Sequence, residues 1–327
     1  MKREILSVAL IAAVSMVIAQ SPSDLPAAVA RSYSTKIDAK VSDEFNGTKL
    51  DWSKWGRRNT GGYMVEKYVG DKSLVTMESD TKGGERIEYV SVKATAKDGK
   101  PRTAGIVTKS AGYFGFYVVK FRINGLGEDV LKGNKTIWHP SVWSGINSNI
   151  AESTKRVKHS GNWIEIDLME WETSHNGWAC DAPARFVPKE GKSRKVVTSG
   201  KGQEKAVLTN TIKHKDGEWA TVGFEYSPDY LRIWEWRDGK WVDLNIQDVR
   251  FVDDNKTDPA LSYTPTTIGR SAAQPCFWLL GNVVSRYLYK SIEDGSCQFH
   301  KGDHSIDFDY FRYYPHKSVE KTEWSCR

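Results

Sequence analysis

Between residues 41 and 315, short runs of β-branched and aromatic residues alternate with polar residues and are separated by Gly, Asn and Asp. This period of two is typical of half-buried β-strands, whereas long helical patterns are scarce. Asp238-Gly239, between two such runs, suits a tight type I′ hairpin. The sequence therefore predicts an all-β, antiparallel sandwich. Its clearest strands are 115–123, 219–226, 230–236 and 304–314.

The chain's 327 residues are enough for one large sandwich, which we place at 41–316 with a C-terminal tail at 317–327. The net charge of +6 favours an acidic partner. The sequence contains no Lys/Arg-rich block, and this argues against nucleic acid as a partner. We expect the protein to be a monomer.

The N-terminus has the pattern of a secretory signal peptide. A basic start is followed by an apolar stretch from Ile5 to Ala19, which is shorter than the roughly 20 residues of a membrane span. We predict a signal peptide at 1–19, a leader segment at 20–40, and an extracellular or periplasmic protein without membrane contact after cleavage. A retained N-terminal anchor is the alternative.

Four cysteines would then lie in an oxidising compartment, and they allow three pairings. We prefer Cys276–Cys297, which closes a modest loop. No C-x-x-C spacing is present, so neither a zinc site nor catalytic thiol chemistry is expected. The two remaining cysteines are Cys180 and Cys326.

The segment 161–172 carries the strongest candidate for chemistry. Glu165 and Asp167 are two residues apart and share one face of a strand, whereas Glu170 lies three residues further on. A β-bulge at Leu168-Met169 would restore the alternation, place all three acids on one face, and turn Ile166 and one of the two bulge residues into the core. Retaining glycoside hydrolases need such paired carboxylates, one as nucleophile and one as acid.

Two other interpretations of these acids stay open, namely ligands for calcium and a solvated charged strand. Aromatic residues are frequent around the acidic segment. Flat indole rings stack on sugars, although each of these rings could instead belong to the core. They are Trp138, Trp143, Trp163, Trp171 and Trp178.

Five segments, in order, resemble glycoside hydrolase family 16, which includes laminarinases, agarases, porphyranases and carrageenases. The acidic segment Glu165-Ile-Asp-Leu-Met-Glu170 is similar to its bulged E-x-D-x-x-E motif. Trp138-His-Pro-Ser-Val-Trp143 resembles its W-P-x-x-W segment, with His139 as an insertion. The other three are Asp43–Trp55, the strands within 105–122, and Asp307–Tyr314.

The resemblance implies a β-jelly-roll sandwich with a concave substrate cleft. Glu165 would be the nucleophile, Glu170 the acid/base, and Asp167 the residue that orients Glu165. The resemblance also implies a role for His175 at the cleft rim and, with Asp309 as ligand, a structural calcium. No cofactor is expected for catalysis.

The polysaccharide is inferred from charge. The basic residues Arg57, Arg58, Arg270 and Arg286 are predicted in cleft-edge loops, and arginine binds sulfate bidentately. We therefore expect a secreted endo-hydrolase of a sulfated red-algal galactan, of the carrageenan or furcellaran type before agar or porphyran. The predicted substrate contacts are Trp138, Trp143, Trp163, His175, Trp178, Arg57 and Arg58. An endo-β-1,3-glucanase, a transglycosylase and non-catalytic polysaccharide-binding proteins, including a calcium-dependent lectin, are the alternatives.

Overall fold

Strands make up most of the described part of the chain, and almost all of them pair antiparallel. The computed structural model describes residues 25–58, 72–82, 84–97, 100–125, 138–145, 163–172, 177–182, 184–185, 206–207, 215–244, 249–253, 267–284 and 304–319. The predicted signal peptide, His175, Arg286, Cys297 and Cys326 lie outside these residues. So do the side chains of Trp163, Trp171, Trp178 and Cys180.

The strands in chain order are β1 (Trp55–Arg57), β2 (Val75–Lys82), β3 (Glu85–Lys97), β4 (Lys100–Thr103), β5 (Gly105–Thr108), β6 (Gly115–Asn124), β7 (Trp138–Gly145), β8 (Trp163–Ile164), β9 (Ile166–Glu172), β10 (Gly177–Ala182), β11 (Ala184–Arg185), β12 (Ala206–Val207), β13 (Trp219–Tyr226), β14 (Tyr230–Arg237), β15 (Lys240–Asp243), β16 (Val249–Val252), β17 (Thr267–Gly269), β18 (Phe277–Val284) and β19 (His304–Pro315). Short 3-10 turns lie at Ala30–Ser32, Lys72–Leu74 and Arg270–Ala272.

Two large sheets hold most of these strands. One is seven-stranded and has the order β1-β5-β18-β7-β9-β10-β12. The other is ten-stranded: it has the order β17-β16-β14-β13-β6-β19-β3-β2, and in addition β15 pairs with β14 and β4 pairs with β3. Strands distant in sequence are neighbours in both sheets, and only β16 and β17 run parallel among the described pairs. The predicted all-β antiparallel sandwich is confirmed.

One hydrophobic core lies between the sheets and takes every second residue of the facing strands. Ile106, Val142 and Leu280 reach it from the seven-stranded sheet, and Phe121 and Phe224 reach it from the other sheet. All five side chains are fully buried. The alternation seen in the sequence therefore corresponds to burial, as expected for sheets that have one face in the core.

The predicted hairpin is confirmed at β14 and β15. Asp238 and Gly239 both have positive φ, +52° and +76°, as a type I′ turn requires. Trp236 faces Trp241 across the two strands with ring centroids 5.6 Å apart.

The described part of the predicted leader packs on the outer face of the ten-stranded sheet. Val29 and Tyr33 are buried there in a second hydrophobic cluster with Trp234 and Tyr314. The Tyr33 hydroxyl donates a hydrogen bond of 2.7 Å to Glu225. Among the described residues, no helix is long and apolar enough to cross a membrane.

Cys276 has a free thiol, so the preferred Cys276–Cys297 pairing is not what the structure has. The side chain is fully buried in the main core, next to β18 and beside Ser144. A loop-length argument could not anticipate this, because the length of a loop says nothing about where its ends are buried. Burial raises the pKa of the Cys276 thiol to about 12.

We expect Cys276 to resist alkylation in the native protein. At pH 8 its thiol is protonated and out of contact with solvent, so iodoacetamide should modify it only after unfolding in guanidinium chloride. Peptide mapping of native and unfolded samples checks this. Rapid native labelling, or recovery of Cys276 in a disulfide without reduction, would contradict the placement.

Candidate active site

The three acids of the 161–172 segment are arranged by a β-bulge in β9. Asp167 pairs with Trp143 on β7, and Glu170 pairs with Ser141. The partners are two positions apart on β7 (143 and 141), whereas the acids are three apart on β9 (167 and 170). The same shift occurs against β10, where Asp181 and Ala179 are the partners. One extra residue therefore lies in β9 between the two acids, as predicted.

Both bulge residues are buried. Leu168 and Met169 are each fully inaccessible and belong to the main core, together with Ile166. The prediction that only one of the two bulge residues would be buried is wrong, because the bulge sets both of them opposite Val142 on the core side. Their burial holds the bulge in place.

The acids lie on the face of the seven-stranded sheet that points away from the main core. Trp143, the partner of Asp167, packs there on a small separate cluster of Val107, Phe277 and Leu279. We call this the acidic face. Glu170 is half-buried on it and Asp167 is buried, and Glu165, which directly precedes β9, is half-buried.

Arg58 supplies a buried positive charge to the acidic face. Its residue is 2% exposed, and its guanidinium carbon lies 5.1 Å from the centre of the Trp143 ring. Burial lowers the pKa of Arg58 to about 10, although the negative charges of Glu170 and Glu165 raise it. Arg58 is therefore charged near neutral pH and acts electrostatically on both carboxylates.

A row of small residues leaves room for the Arg58 side chain. The Arg58 backbone N–H donates to Gly105, and the row continues across the sheet through Gly281 and Ser141 to Glu170. A Cβ on Gly105 would lie 2.9 Å from Cδ of Arg58, so the arginine crosses the strand directly over this glycine. The side chain can extend inward only because Gly105 has none.

His139 is the second positively chargeable neighbour of Glu170. Its Nε2 lies 3.2 Å from Oε1 of Glu170, and its residue is 8% exposed. His139, the insertion relative to the W-P-x-x-W segment, causes no bulge against β18, since every residue of β7 pairs one to one with that strand from Trp138 to Gly145. His139 is a regular strand residue on the face of Ser141 and Trp143.

Trp138 is not on the acidic face. It is 1% exposed, belongs to the main core, and donates a hydrogen bond of 2.8 Å to Asn282. Its ring also stacks on His304. The prediction that Trp138 contacts substrate is therefore wrong, whereas Trp143 lies where a contact was expected.

The predicted exposed arginines are placed differently. Arg57 pairs with Ile106, so it leaves β1 on the opposite face from Arg58. Arg58 itself is buried and cannot be an exposed cation of a cleft edge. Arg270 is exposed and pairs with Asp229 at 3.1 Å.

Asp309, the predicted calcium ligand, is paired with Lys120, and the calcium site stays a prediction. Lys120 places its ammonium 2.5 Å from the Asp309 carboxylate. The described residues contain no group of three His, Cys, Asp or Glu side chains that could hold a metal. The ammonium already neutralises the carboxylate that a calcium would need.

Sequence reasoning missed two residues beside the acids, His139 and Ser141. The Ser141 hydroxyl is buried opposite Glu170, and within the described ranges it has no hydrogen-bond partner. The alternation of side chains along a strand could have predicted both residues. Positions 139, 141 and 143 are spaced by two and therefore lie on one face of β7.

The sequence matches no protein-family model, and no curated protein is significantly similar to it. Solved structures are similar in fold. Porphyranase B from Zobellia galactanivorans is 14% identical, with 86% of this chain and 92% of that chain covered and a TM-score of 0.52. A glycoside hydrolase family 16 endo-glucanase from Bacteroides ovatus is 12% identical, with 83% and 98% covered and a TM-score of 0.52.

LamA from Zobellia galactanivorans, solved with laminaritriose and laminaritetraose, is 15% identical. The alignment covers 86% of this chain and 99% of LamA, with a TM-score of 0.50. At these identities the likeness concerns the fold. The chain has the jelly-roll fold of glycoside hydrolase family 16, so the predicted resemblance is confirmed at that level.

We expect Gly105→Ala to destabilise the protein by about 1–3 kcal/mol, because the new methyl group overlaps the Arg58 side chain. In an Arg58→Ala background the same change should cost clearly less, because the contact of 2.9 Å with Cδ is gone and only the contact of 3.1 Å with Cβ of residue 58 remains. Urea unfolding of the four proteins in this double-mutant cycle measures the coupling. An equal cost in both backgrounds would contradict the position assigned to Arg58.

Proposed function

We propose that this protein is a retaining endo-glycoside hydrolase, with Glu165 as nucleophile and Glu170 as acid/base. The observation that carries the proposal is the bulge in β9, which brings Asp167 and Glu170 to one sheet face, together with the electrostatic influence of both Glu170 and Glu165 on the buried Arg58. A strand without function would avoid three acids on one face, because their mutual repulsion and desolvation cost free energy.

The proposed reaction has two steps. Glu165 attacks the anomeric carbon while Glu170 gives its proton to the departing glycosidic oxygen, which leaves a covalent glycosyl-enzyme. Glu170, now a carboxylate, takes a proton from water as the water attacks the same carbon and releases Glu165. Asp167 orients Glu165, and the buried charge of Arg58 acts on both Glu170 and Glu165 and so reduces the repulsion between them.

We propose a sulfated red-algal galactan as the substrate. The net charge of +6 supports this, since a positive surface attracts a polyanion. The similarity in fold to a porphyranase supports it as well. Arg58 is buried, so in this proposal it supplies positive charge near the carboxylates and does not contact a sulfate group itself.

An endo-β-glucanase is the second candidate. The Bacteroides ovatus endo-glucanase has the same TM-score as porphyranase B, and LamA was solved with laminari-oligosaccharides. Hydrolysis of laminarin but not of any galactan would support this candidate and leave the proposed mechanism unchanged.

The protein is further proposed to be a secreted monomer, released after cleavage behind Ala19. The apolar stretch from Ile5 to Ala19 supports this location. In this proposal the one macromolecular partner is the polysaccharide.

We expect Glu165→Gln and Glu170→Gln each to lower kcat by at least about 10³-fold, because each removes one partner of a two-step mechanism. Release of reducing ends from κ-carrageenan, furcellaran, porphyran, agarose and laminarin measures this loss. Glu218→Gln, at an exposed glutamate directly before β13 of the other sheet, is the matched control and should keep full activity.

Azide should restore hydrolysis by Glu165→Ala and give a glycosyl azide of inverted configuration, since the small anion takes the place of the nucleophile. Near-normal activity of Glu165→Gln would disprove the assignment. Failure of the wild-type protein to cleave any of the five polysaccharides would favour a non-catalytic binding protein.

We expect hydrolysis of a sulfated galactan to slow as salt is raised to about 0.2 M, because charges separated by more than about 8–10 Å are then screened. Initial rates at several salt concentrations measure the effect, with neutral laminarin or agarose as control. A sulfated substrate that is hydrolysed equally fast at all of these concentrations would contradict attraction by charge.

A further inference from the structure

His139 lies close to the acid/base carboxyl and belongs to the regular part of the sheet. β7 is paired on both sides, by β18 and by β9, so the backbone at His139 is held in a central strand. Glu170 pairs with Ser141, and His139 is two residues away on the same face. The contact from Nε2 to Oε1 of Glu170 is 3.2 Å.

This contact suits a carboxyl group that changes protonation state during a reaction. A ring nitrogen of neutral histidine either donates or accepts a hydrogen bond, according to the tautomer. The two atoms are close enough for a hydrogen bond but are not aligned as one in this structure, and catalytic hydrogen bonds often become aligned only when substrate binds. Once aligned, Nε2 can accept from the carboxylic acid and donate to the carboxylate. The side chains of His139 and Glu170 are 10% and 15% exposed, so water competes weakly for the contact.

An apolar residue would be expected at this position if only packing mattered. The other described side chains in the neighbourhood include Trp143 and Leu279, which form an apolar cluster on the same face. Burying an imidazole costs free energy unless its nitrogens are paired. A carboxyl oxygen of Glu170 lies within reach of Nε2, at 3.2 Å.

We propose that His139 is a positioning residue that holds Oε1 of Glu170, so that Oε2 faces the glycosidic oxygen in both steps. This inference rests on the proposed function, in which Glu170 is the acid/base. His139 itself does not touch the reacting atoms. Its effect is on the orientation of the proton that Glu170 gives and takes back.

His139→Gln and His139→Asn form a matched pair that tests the proposal. The glutamine amide nitrogen or oxygen reaches the position of Nε2, whereas the shorter asparagine reaches only that of Nδ1. On the polysaccharide that the wild type cleaves, we expect kcat to fall about 30-fold in the Asn variant and less than about fivefold in the Gln variant, part of the 10²–10⁴-fold that acid–base catalysis contributes. KM should change little in either variant.

A substrate with a reactive leaving group separates positioning from a purely structural role. In a 2,4-dinitrophenyl glycoside of the released oligosaccharide, the leaving group departs as a stable phenolate. Its departure needs no proton from the enzyme. On this substrate, kcat/KM of both variants should stay within about threefold of wild type, because the first step no longer depends on Glu170.

Equal losses on the two substrates would overturn the proposal and indicate a structural histidine. An Asn variant as active as wild type on the polysaccharide would also overturn it, as would a Gln variant less active than Asn. Thermal unfolding of both variants identifies losses that come from misfolding.

Glu165→Gln is measured on both substrates in parallel. If it hydrolyses the dinitrophenyl glycoside at the wild-type rate, the proposed function fails whatever His139 does. If it is inactive on both while the His139 variants behave alike on both, only the inference about His139 fails.

Discussion

The geometry of the site depends on the strict alternation of side chains along a β-strand. Acids three residues apart on a regular strand point to opposite faces, one of which is the core of this sandwich. A carboxylate at Glu170 would then be buried among apolar side chains at a prohibitive cost. The extra residue in β9 removes this conflict, and burial of Leu168 and Met169 offsets the loss of regular pairing. The bulge is therefore required by the core as much as by the site.

Concentrating acids on one face creates a second constraint, which is electrostatic. Three neighbouring carboxylates repel each other, and a buried cation relieves that repulsion. The backbone of Arg58 is four strands away, since β1, β5, β18, β7 and β9 are successive neighbours, and its side chain brings the guanidinium from there to the ring of Trp143 on β7. Its reach depends on Gly105, where any Cβ would overlap it. The absence of a side chain at Gly105 therefore allows the charged group of Arg58 to extend across the sheet.

Parity along the strands explains which site residues could be predicted from the sequence. The spacing of the acids predicts the bulge, and Asp238-Gly239 predicts the hairpin, because both follow from local backbone geometry. Trp138 and Trp143 are five positions apart, so a regular strand cannot bring both to one face. Arg57 and Arg58 are adjacent and are separated for the same reason. Once Trp138 is known to be a core residue, His139 must lie on the acidic face.

The burial of Arg58 and of the Cys276 thiol could not be predicted from the alternation of side chains along one strand. Each depends on packing against strands that are distant in sequence. The buried Glu225 and the half-buried Glu170 show a related distinction. Glu225 is fully buried and accepts hydrogen bonds from Tyr33, Tyr230 and Trp234. These donors do not change charge near neutral pH, since burial and Glu225 hold the pKa of Tyr33 well above its usual value. Glu170 has instead a titratable histidine beside it and partial access to solvent. Three neutral donors favour a permanent carboxylate, whereas an imidazole can follow a carboxyl through both of its protonation states, as a reacting group requires.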